Sequence, residues 1–348
     1  RIQQEILLGI GGVKLLRALG ETPSVFHMNE GHAAFLALEL IRERMTAGDD
    51  FDAALSATRE ESIFTTHTPV PAGHDRFHPG LMSYALNRYE QHLSLSHKDL
   101  MALGRLNPDD DDETFCMTVL ALNTARAANG VSELHGAVSR EMWQGKYDVP
   151  VDEVPIGHVT NGIHLLGWMS KPARDFWQPR VDSGELFHEK INCPEFWARV
   201  NDPGFISDEE LWALRYRLRR ELIDFTRSRL IDDPKAREGD FITLDHLLDA
   251  DTLTIGFARR FATYKRAPLI FDQFEKVTKL AKDADRPVQF IYAGKAHPAD
   301  EEGKRFIQKI AHLSKHSELA GHLVFIENYD IQIGRMLVGG CDIWLNNP

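Results

Sequence analysis

Residues 250–348 alternate between strand-like and helix-like patterns, and this alternation restricts the fold more than any other feature of the chain. Short apolar runs separated by helix-like stretches predict strands at Leu253–Phe257, Val288–Tyr292, Leu323–Ile326 and Asp342–Leu345. Such a series forms a parallel sheet with right-handed crossovers, because a helix must return the chain to the start of the next strand. We therefore expect an α/β fold whose ligands bind at the carboxyl ends of the strands.

The first part of the chain shows a similar alternation. Short apolar runs predict strands at residues 24–28, Ser62–Thr66 and Ile156–Thr160. A helix is predicted at Ala33–Met45, with Asn29 as its N-cap, because a short polar side chain accepts a free backbone N–H. A second helix is predicted at Thr114–Ala128, with Asn129-Gly130 as its left-handed stop.

Charge and composition exclude several classes of function. The formal net charge of the 348 residues is −12, whereas a general nucleic-acid binder needs a basic surface. No apolar run reaches the roughly 18 residues that span a bilayer, so no membrane partner is expected. The three cysteines form no CxxC pair, which favours a reducing cytoplasm. His27 and His32 flank Glu30, but a third ligand is missing, so no metal site is expected.

A basic cluster stands out against this acidic background. Residues Arg259–Arg266 carry four cations within eight positions, at the carboxyl end of a predicted strand. Arginine offers a planar fork and lysine a point charge, and both bind phosphate. Basic residues near a helix start are costly unless an anion offsets the helix dipole. The pattern favours a phosphate site, with a surface patch as the alternative, and neither GxGxxG nor a P-loop motif occurs.

Neutral polar residues follow the predicted strands of the first segment. His67 follows one strand and Asn161-Gly162 follows another. Taken singly, a histidine here is usually structural and an Asn-Gly pair is usually a turn. Their shared position past strand ends favours a site that fixes the hydroxyls of a sugar.

The chain resembles the glycogen and maltodextrin phosphorylases, in the form of their shorter bacterial and archaeal branch. The resemblance is carried in order by His27–His32, Phe64–Pro69, Asn129–His135, Val159–Ile163, Arg259–Arg266, Ala293–Ala296 and Phe325–Tyr329. It implies a GT-B type fold, with two Rossmann-like domains facing across a cleft. Their expected bounds are 1–164 and 165–348, and both domains are expected to be incomplete. The implied reaction is reversible phosphorolysis of α-1,4-glucan ends by inorganic phosphate, giving glucose 1-phosphate with retention.

The resemblance also implies a cofactor, pyridoxal 5'-phosphate, whose phosphate group relays a proton to the attacking phosphate. By the same resemblance, Arg260 and Lys265 would hold the substrate phosphate, and Arg259 would face the cofactor phosphate. Trp168 and Tyr329 would pack around the cofactor. The lysine that bonds the cofactor is expected beyond the last residue of the chain, so the chain alone is expected to be an inactive internal fragment.

On the sugar side, the resemblance assigns roles to residues of the first segment. Asn161 would bind an outer hydroxyl, and the backbone carbonyl of His67 would face the glucosyl unit. Glu30 and His32 would lie near the acceptor sugars, and Lys295 would bind substrate on the phosphate side. A homodimer is expected for the full-length protein.

Two alternatives remain open at this stage. A glucan synthase of the same fold, using a sugar nucleotide, also needs basic residues for phosphates. A non-catalytic glycan-binding protein would not need the cluster at Arg259–Arg266. The ordered motifs favour the phosphorylase, since fold alone does not decide function.

Overall fold

The computed structural model describes residues 1–202, 204–231, 247–298 and 300–347. The chain divides into two compact units, Arg1–Ile163 and His164–Pro348. Each unit contains a parallel sheet together with helices, so the mixed α/β class predicted from the alternation is confirmed. No helix within the described ranges is long and apolar enough to cross a membrane.

The first unit is built on a sheet whose strands end at one common edge. The strands of this unit are β1 Phe26–Asn29, β2 Ser62–Thr65, β3 Arg76–Phe77, β4 Phe115–Cys116, β5 Ala127–Gly130 and β6 Ile156–His158, of which β3 and β4 form a separate antiparallel pair. Its helices are α1 Ile2–Ala18, α2 Leu36–Ala47, α3 Phe51–Glu61, α4 Pro79–His92, α5 His97–Ala102, α6 Met117–Thr124 and α7 Glu133–Trp143. The parallel order is β1-β2-β5-β6. Asn29 therefore lies opposite Thr65, and Gly130 opposite His158, where the strands end.

The second unit repeats this construction. Its strands are β7 Leu253–Phe257, β8 Val288–Ala293, β9 Leu323–Ile326 and β10 Ile343–Trp344. Its helices are α8 Leu165–Trp168, α9 Lys171–Trp177, α10 Phe187–Lys190, α11 Pro194–Val200, α12 Asp208–Ile231, α13 Phe274–Ala281, α14 Glu301–Ser314 and α15 Ile331–Gly340. The sheet order is β10-β7-β8-β9, and every pairing is parallel. β7 and β9 have the predicted bounds, and β8 and β10 differ from prediction by single residues at their ends.

The helix predicted at Thr114–Ala128 is wrong over much of its length. Only α6 within it is helical, and Ala127–Gly130 forms β5, between β2 and β6. Alanine favours a helix locally, but β5 pairs with a strand on either side, and this tertiary pairing overrides the local preference. Asn129-Gly130 is therefore the end of an interior strand and does not stop a helix.

The predicted N-cap at Asn29 is also wrong. Asn29 is the last residue of β1, and the next residue, Glu30, caps a short 3-10 helix at Gly31–Ala33 by accepting a hydrogen bond from the Gly31 N–H. The regular helix α2 begins only at Leu36. The chain thus turns sharply after β1 and leaves the side chain of Glu30 at the edge of the sheet.

A buried ion pair attaches α12 to the edge strand β10. Ser207 and Glu210 exchange capping bonds of 3.2 and 3.1 Å at the start of α12, as expected of an Ser-x-x-Glu sequence. Further along the helix, Arg219 is 1% exposed and its Nη1 lies 2.8 Å from Asp342 Oδ2. The same Oδ2 accepts the Thr254 N–H of β7 at 2.8 Å. Asp342 therefore joins α12, β7 and the start of β10.

Removing Asp342 should strongly destabilise the second unit. In an Asp342→Ala variant, the guanidinium of Arg219 stays buried without its partner, and we expect a loss of about 3–5 kcal/mol in the free energy of unfolding. Urea denaturation of the full-length protein measures this loss. The control is Lys304→Ala, which removes the partly exposed Lys304–Glu301 pair of α14 and should cost less than about 1 kcal/mol. Equal effects of the two variants would contradict the role assigned to Asp342.

Candidate active site

Glu30 lies directly after β1 and fastens the loop that follows β2. Its Oε1 accepts the Gly31 N–H at 2.8 Å, and its Oε2 accepts the His67 N–H at 2.8 Å. The hydroxyl of Thr68 donates to the same Oε2 at 2.9 Å. Glu30 has a positive φ of 80°, a conformation that a non-glycine residue keeps only where surrounding contacts fix it. Both carboxylate oxygens are therefore used within the protein.

His67 and His32 lie close to this carboxylate. His67 is exposed, and its Nε2 is 2.5 Å from Asn29 Oδ1, which sets the orientation of the imidazole ring. His32 is half-buried in the 3-10 helix that Glu30 caps. The structure thus brings Glu30, His32 and His67 together at the carboxyl edge of the first sheet.

A row of hydrogen bonds continues along this edge. His27 Nε2 lies 2.8 Å from Thr65 Oγ1, and that hydroxyl donates to Asn129 Oδ1 at 3.1 Å. In the described part of the chain, no group of three or more His, Cys, Asp or Glu could hold a metal ion. His27 therefore belongs to a hydrogen-bonded row between strands.

Asn161 follows β6 at the same edge. Its backbone N–H donates to the carbonyl of Val131 at 3.1 Å, which fixes the turn. Its side chain is exposed and makes no hydrogen bond to any residue that the structure describes. The amide of Asn161 is therefore held in place through its backbone while its polar atoms are available to a ligand.

His74 supports this edge from the interior. It is 7% exposed, and its Nδ1 lies 2.8 Å from Thr118 Oγ1. Burial lowers the pKa of His74, because the apolar surroundings disfavour the charged imidazolium. Its ring packs edge-on against Trp143, with centroids 4.9 Å apart. His74 is therefore a buried histidine that packs between Thr118 and Trp143.

In the second unit, the basic loop after β7 is attached to the loop after β8. The Phe261 N–H donates to the carbonyl of Lys295 at 2.9 Å. Gly294 has a φ of 146°, and a Cβ at this position would lie 2.5 Å from the carbonyl oxygen of Arg259. Only glycine fits there without a shift of the backbone. The loops therefore touch through their main chains, while the side chains of the cations extend beyond the contact.

Three of the four cations of this loop have no acidic partner in the part of the chain that the structure describes. No described carboxylate forms an ion pair with Arg259, Arg260 or Lys265. The same holds for Lys295, which is exposed. Arg259 donates from Nη1 to a backbone carbonyl, that of Asn347, at 2.9 Å. In a chain with a net charge of −12, Arg259, Arg260 and Lys265 thus form a local concentration of positive charge, which attracts anions.

Trp168 and Tyr329 meet over Gly334 of α15. A Cβ at Gly334 would lie 2.6 Å from Tyr329 Oη and 3.5 Å from Trp168 Cζ3. Trp168 is 38% exposed, so the aromatic pair presents a partly open apolar surface. Tyr329 and Ala258, the first residue of the basic loop, pack against the same apolar cluster. The aromatic pair and the loop thus share one core.

Sequence reasoning missed the residues that hold this arrangement in place. Thr68, Gly334 and Asn347 each contact a predicted site residue, yet none was singled out. Thr68 directly follows His67, so its position in the chain was a usable signal. Gly334 is close to Tyr329 in the sequence but far from Trp168, and Asn347 is far from its partners Arg259, Lys265 and Arg266, so only the fold brings these residues into contact.

Comparison with known proteins identifies the family of the chain. A sequence model of the carbohydrate phosphorylases matches residues 14–345. The chain belongs to the carbohydrate phosphorylase family. It is 40% identical over 349 residues to a maltodextrin phosphorylase of Thermococcus litoralis. It is 41% identical over 367 residues to a glycogen phosphorylase of Mycobacterium tuberculosis and 37% identical over 351 residues to that of Aquifex aeolicus.

The aligned region covers the whole of this chain but only part of each relative. It spans 40% of the Thermococcus protein, 41% of the Mycobacterium protein and 50% of the Aquifex protein. The chain therefore corresponds to about two fifths to one half of the length of these family members.

The contact of Gly334 with Trp168 and Tyr329 can be tested by comparing it with Gly339, a second glycine of α15. At Gly339, a Cβ meets nothing within 4 Å, so Gly339→Ala should stabilise the fold by about 0.5–1 kcal/mol through helix propensity. Gly334→Ala should lose that gain, because its methyl group would lie 2.6 Å from Tyr329 Oη and would displace that side chain. We expect the free energies of unfolding of the two variants, measured in urea, to differ by at least about 1 kcal/mol. Equal stabilisation by both would show that the pair does not rest on Gly334.

Proposed function

We propose that the protein is an α-glucan phosphorylase, a glycosyltransferase that acts on α-1,4-glucan and inorganic phosphate. It would transfer a glucosyl unit from the non-reducing end to phosphate, reversibly and with retained configuration, giving glucose 1-phosphate. The observation that carries this proposal is that Arg259, Arg260 and Lys265, which follow β7, have no acidic partner among the described residues. A phosphate anion would offset their mutual repulsion through charge-assisted hydrogen bonds. The printed names of the relatives, maltodextrin and glycogen phosphorylase, support the same reaction.

On the phosphate side, Arg260 and Lys265 hold the substrate phosphate and Lys295 binds it from the neighbouring loop. An oxygen of the phosphate forms a bond to the anomeric carbon, on the face from which the sugar oxygen departs, as the glycosidic bond breaks. The departing sugar oxygen takes a proton from the attacking phosphate. The cations stabilise the charge on the phosphate as this exchange proceeds. Fixed cations act well here because they need little rearrangement during the reaction.

On the sugar side, Asn161 hydrogen-bonds an outer hydroxyl of the glucosyl unit, and the backbone carbonyl of His67 stabilises its oxocarbenium character. The bond from the His67 N–H to Glu30 Oε2 holds that peptide in place. Because both oxygens of Glu30 are already engaged, its contribution near the acceptor sugars is to fix the loop. His32, in the adjoining 3-10 helix, is free to contact the acceptor.

Pyridoxal 5'-phosphate fits the chemistry of the residues present in the second unit. Trp168 and Tyr329 offer an apolar aromatic surface, and Arg259 offers a guanidinium without an acidic partner to a phosphate group. These three residues would hold the cofactor. When bound, it supplies a phosphate group that exchanges a proton with the substrate phosphate. The contact of Arg259 with the Asn347 carbonyl orients the guanidinium toward that task.

The proposal extends to the architecture and setting of the full-length protein. We place the chain in the GT-B type of fold, in which the first unit supplies the sugar-binding residues and the second the phosphate-binding residues. This follows from the parallel sheets and from the family. A cytoplasmic location and a homodimer remain predictions.

One assay separates this function from its alternatives. The full-length protein, supplied with pyridoxal 5'-phosphate, should release glucose 1-phosphate from a maltodextrin only when inorganic phosphate is present. A glucan synthase would instead transfer glucose from a nucleotide sugar. A glycan-binding protein would do neither. Transfer from a nucleotide sugar without phosphorolysis would overturn the proposal.

Loss of Arg260 or Lys265, the two residues proposed to hold the substrate phosphate, should nearly abolish phosphorolysis. Lys265→Ala or Arg260→Ala in the full-length protein removes a charge-assisted contact to the phosphate, worth about 3 kcal/mol in the transition state or at least ~100-fold in rate. The rate of glucose 1-phosphate release measures the effect. As a matched control, Lys276→Ala removes an equal charge from an exposed position on α13 and should change the rate less than about twofold. Wild-type turnover of Lys265→Ala would rule out the phosphate assignment.

Asn161→Ala should reduce activity without harming the fold. Hydrogen bonds to sugar hydroxyls tighten as the ring flattens, so the loss should be about 2–4 kcal/mol of transition-state stabilisation. The side chain of Asn161 makes no hydrogen bond to a described residue, so the unfolding temperature should stay unchanged. Steady-state kinetics and thermal unfolding measure the two quantities. Retained activity with a sharp fall in the unfolding temperature would mean that Asn161 is only a turn residue.

A further inference from the structure

Asn347 binds both ends of the basic loop. It lies just past β10 and is 9% exposed, although its side chain is polar. Its Nδ2 donates to the carbonyl of Arg266 at 2.7 Å and reaches the carbonyl of Lys265 at 3.4 Å. Its own carbonyl accepts the guanidinium of Arg259 at 2.9 Å. One residue therefore contacts the loop where it leaves β7 and again at its last two cations.

The part of the loop that Asn347 contacts is not in a relaxed conformation. Arg266 has a φ of 45°, which a residue with a side chain adopts only where other contacts compensate. Lys265 ends a single 3-10 turn, Thr263–Lys265, so few local hydrogen bonds stabilise it. Asn347 supplies the compensating bonds from outside the loop.

The chemistry of an amide suits this task. Lys265 and Arg266 are adjacent and repel each other, so the loop tends to spread. A carboxylate at position 347 would pair with these cations and compete with an anionic ligand. A lysine there would add to the repulsion. The amide of Asn347 instead binds the backbone carbonyls of Lys265 and Arg266 and adds no charge of its own.

The position of Asn347 is itself fixed by the sheet. The Leu345 N–H donates to the Gly256 carbonyl of β7 at 2.8 Å, which continues the register of β10 past its last paired residue. The loop after β7 is thus held from β10 by Asn347 and from β8 by Lys295. The two strands that flank β7 therefore both restrain the loop that follows it.

We infer that Asn347 is a positioning residue for phosphate, acting through the backbone of Lys265 and Arg266 to place the cations that bind it. The inference rests on the proposed function, because it names the residue that shapes the phosphate site. Asn347 does not itself touch the reacting atoms.

The test compares two variants of Asn347 in the full-length protein loaded with pyridoxal 5'-phosphate. Asn347→Ala removes the amide, and Asn347→Leu keeps a branched side chain suited to a buried position but donates no hydrogen bond. We expect the KM for inorganic phosphate to rise at least about tenfold in both, since the bonds that hold the cations in place are lost. The KM for maltodextrin and the unfolding temperature should change little. The rise in unfolding temperature that inorganic phosphate gives the wild-type protein should shrink in the same variants, which tests binding without turnover.

Asn346→Ala is the matched control. Asn346 is an exposed asparagine next to Asn347, and its side chain makes no hydrogen bond to a described residue. This variant should keep the wild-type KM for phosphate within about twofold, as expected of a surface substitution. An equal rise in Asn346→Ala and Asn347→Ala would overturn the inference.

The remaining outcomes are also decisive. If the wild-type protein releases no glucose 1-phosphate, the proposed function fails, and the phosphate-dependent rise in unfolding temperature still reports on Asn347. If the wild-type protein is active and both Asn347 variants keep its KM for phosphate, the inference fails alone. If both variants fall equally in unfolding temperature and in both KM values, or fail to fold, Asn347 is only structural and the inference is wrong.

Discussion

Repulsion among like charges is the constraint on which the second unit depends. Residues Arg259–Arg266 place several cations on one short loop, and the described residues provide no carboxylate to neutralise Arg259, Arg260 or Lys265. Such a loop keeps one shape only if neutral groups hold its backbone. The structure supplies these groups from the strands on either side, as the Lys295 carbonyl from β8 and the Asn347 amide from β10. The parallel sheet matters because it brings the ends of β7, β8 and β10 to one edge.

In the first unit, the charged group that organises a loop is a carboxylate, that of Glu30. One carboxylate oxygen of Glu30 accepts the Gly31 N–H, and the other accepts the His67 N–H and the Thr68 hydroxyl. These bonds satisfy the charge of Glu30 and hold His67 in place. The side chain of Asn161, which follows β6 at the same carboxyl edge, is exposed. One edge therefore presents neutral polar groups and the other presents cations. The proposed substrates, a neutral sugar and a phosphate anion, match these two sets of groups.

The sequence predicts those parts of the fold that local patterns determine. β7 and β9 are runs of β-branched and aromatic residues bounded by polar segments, and their limits were predicted correctly. Ala127 and Ala128 of β5 were predicted as the end of a helix and Asn129-Gly130 as its stop, because the alanines carry no strand signal and only pairing with β2 and β6 makes this segment a strand. The basic loop was predicted from its composition. The hydrogen bonds by which Asn347 holds the loop were not predicted, since Asn347 lies more than eighty residues from its partners Lys265 and Arg266.

The ion pair between Arg219 and Asp342 bears on the order in which the second unit folds. Its members are 123 residues apart in sequence, and closing so long a loop is slow compared with forming a helix or a local strand crossover. β10 pairs with β7 through only two residues, so it gains little from pairing before α12 is in place. We therefore expect the β7–β8–β9 crossovers to assemble first and β10 to dock last. During synthesis, the loop that carries the cations would then reach its final shape only after residues 342–347 have left the ribosome and joined the sheet.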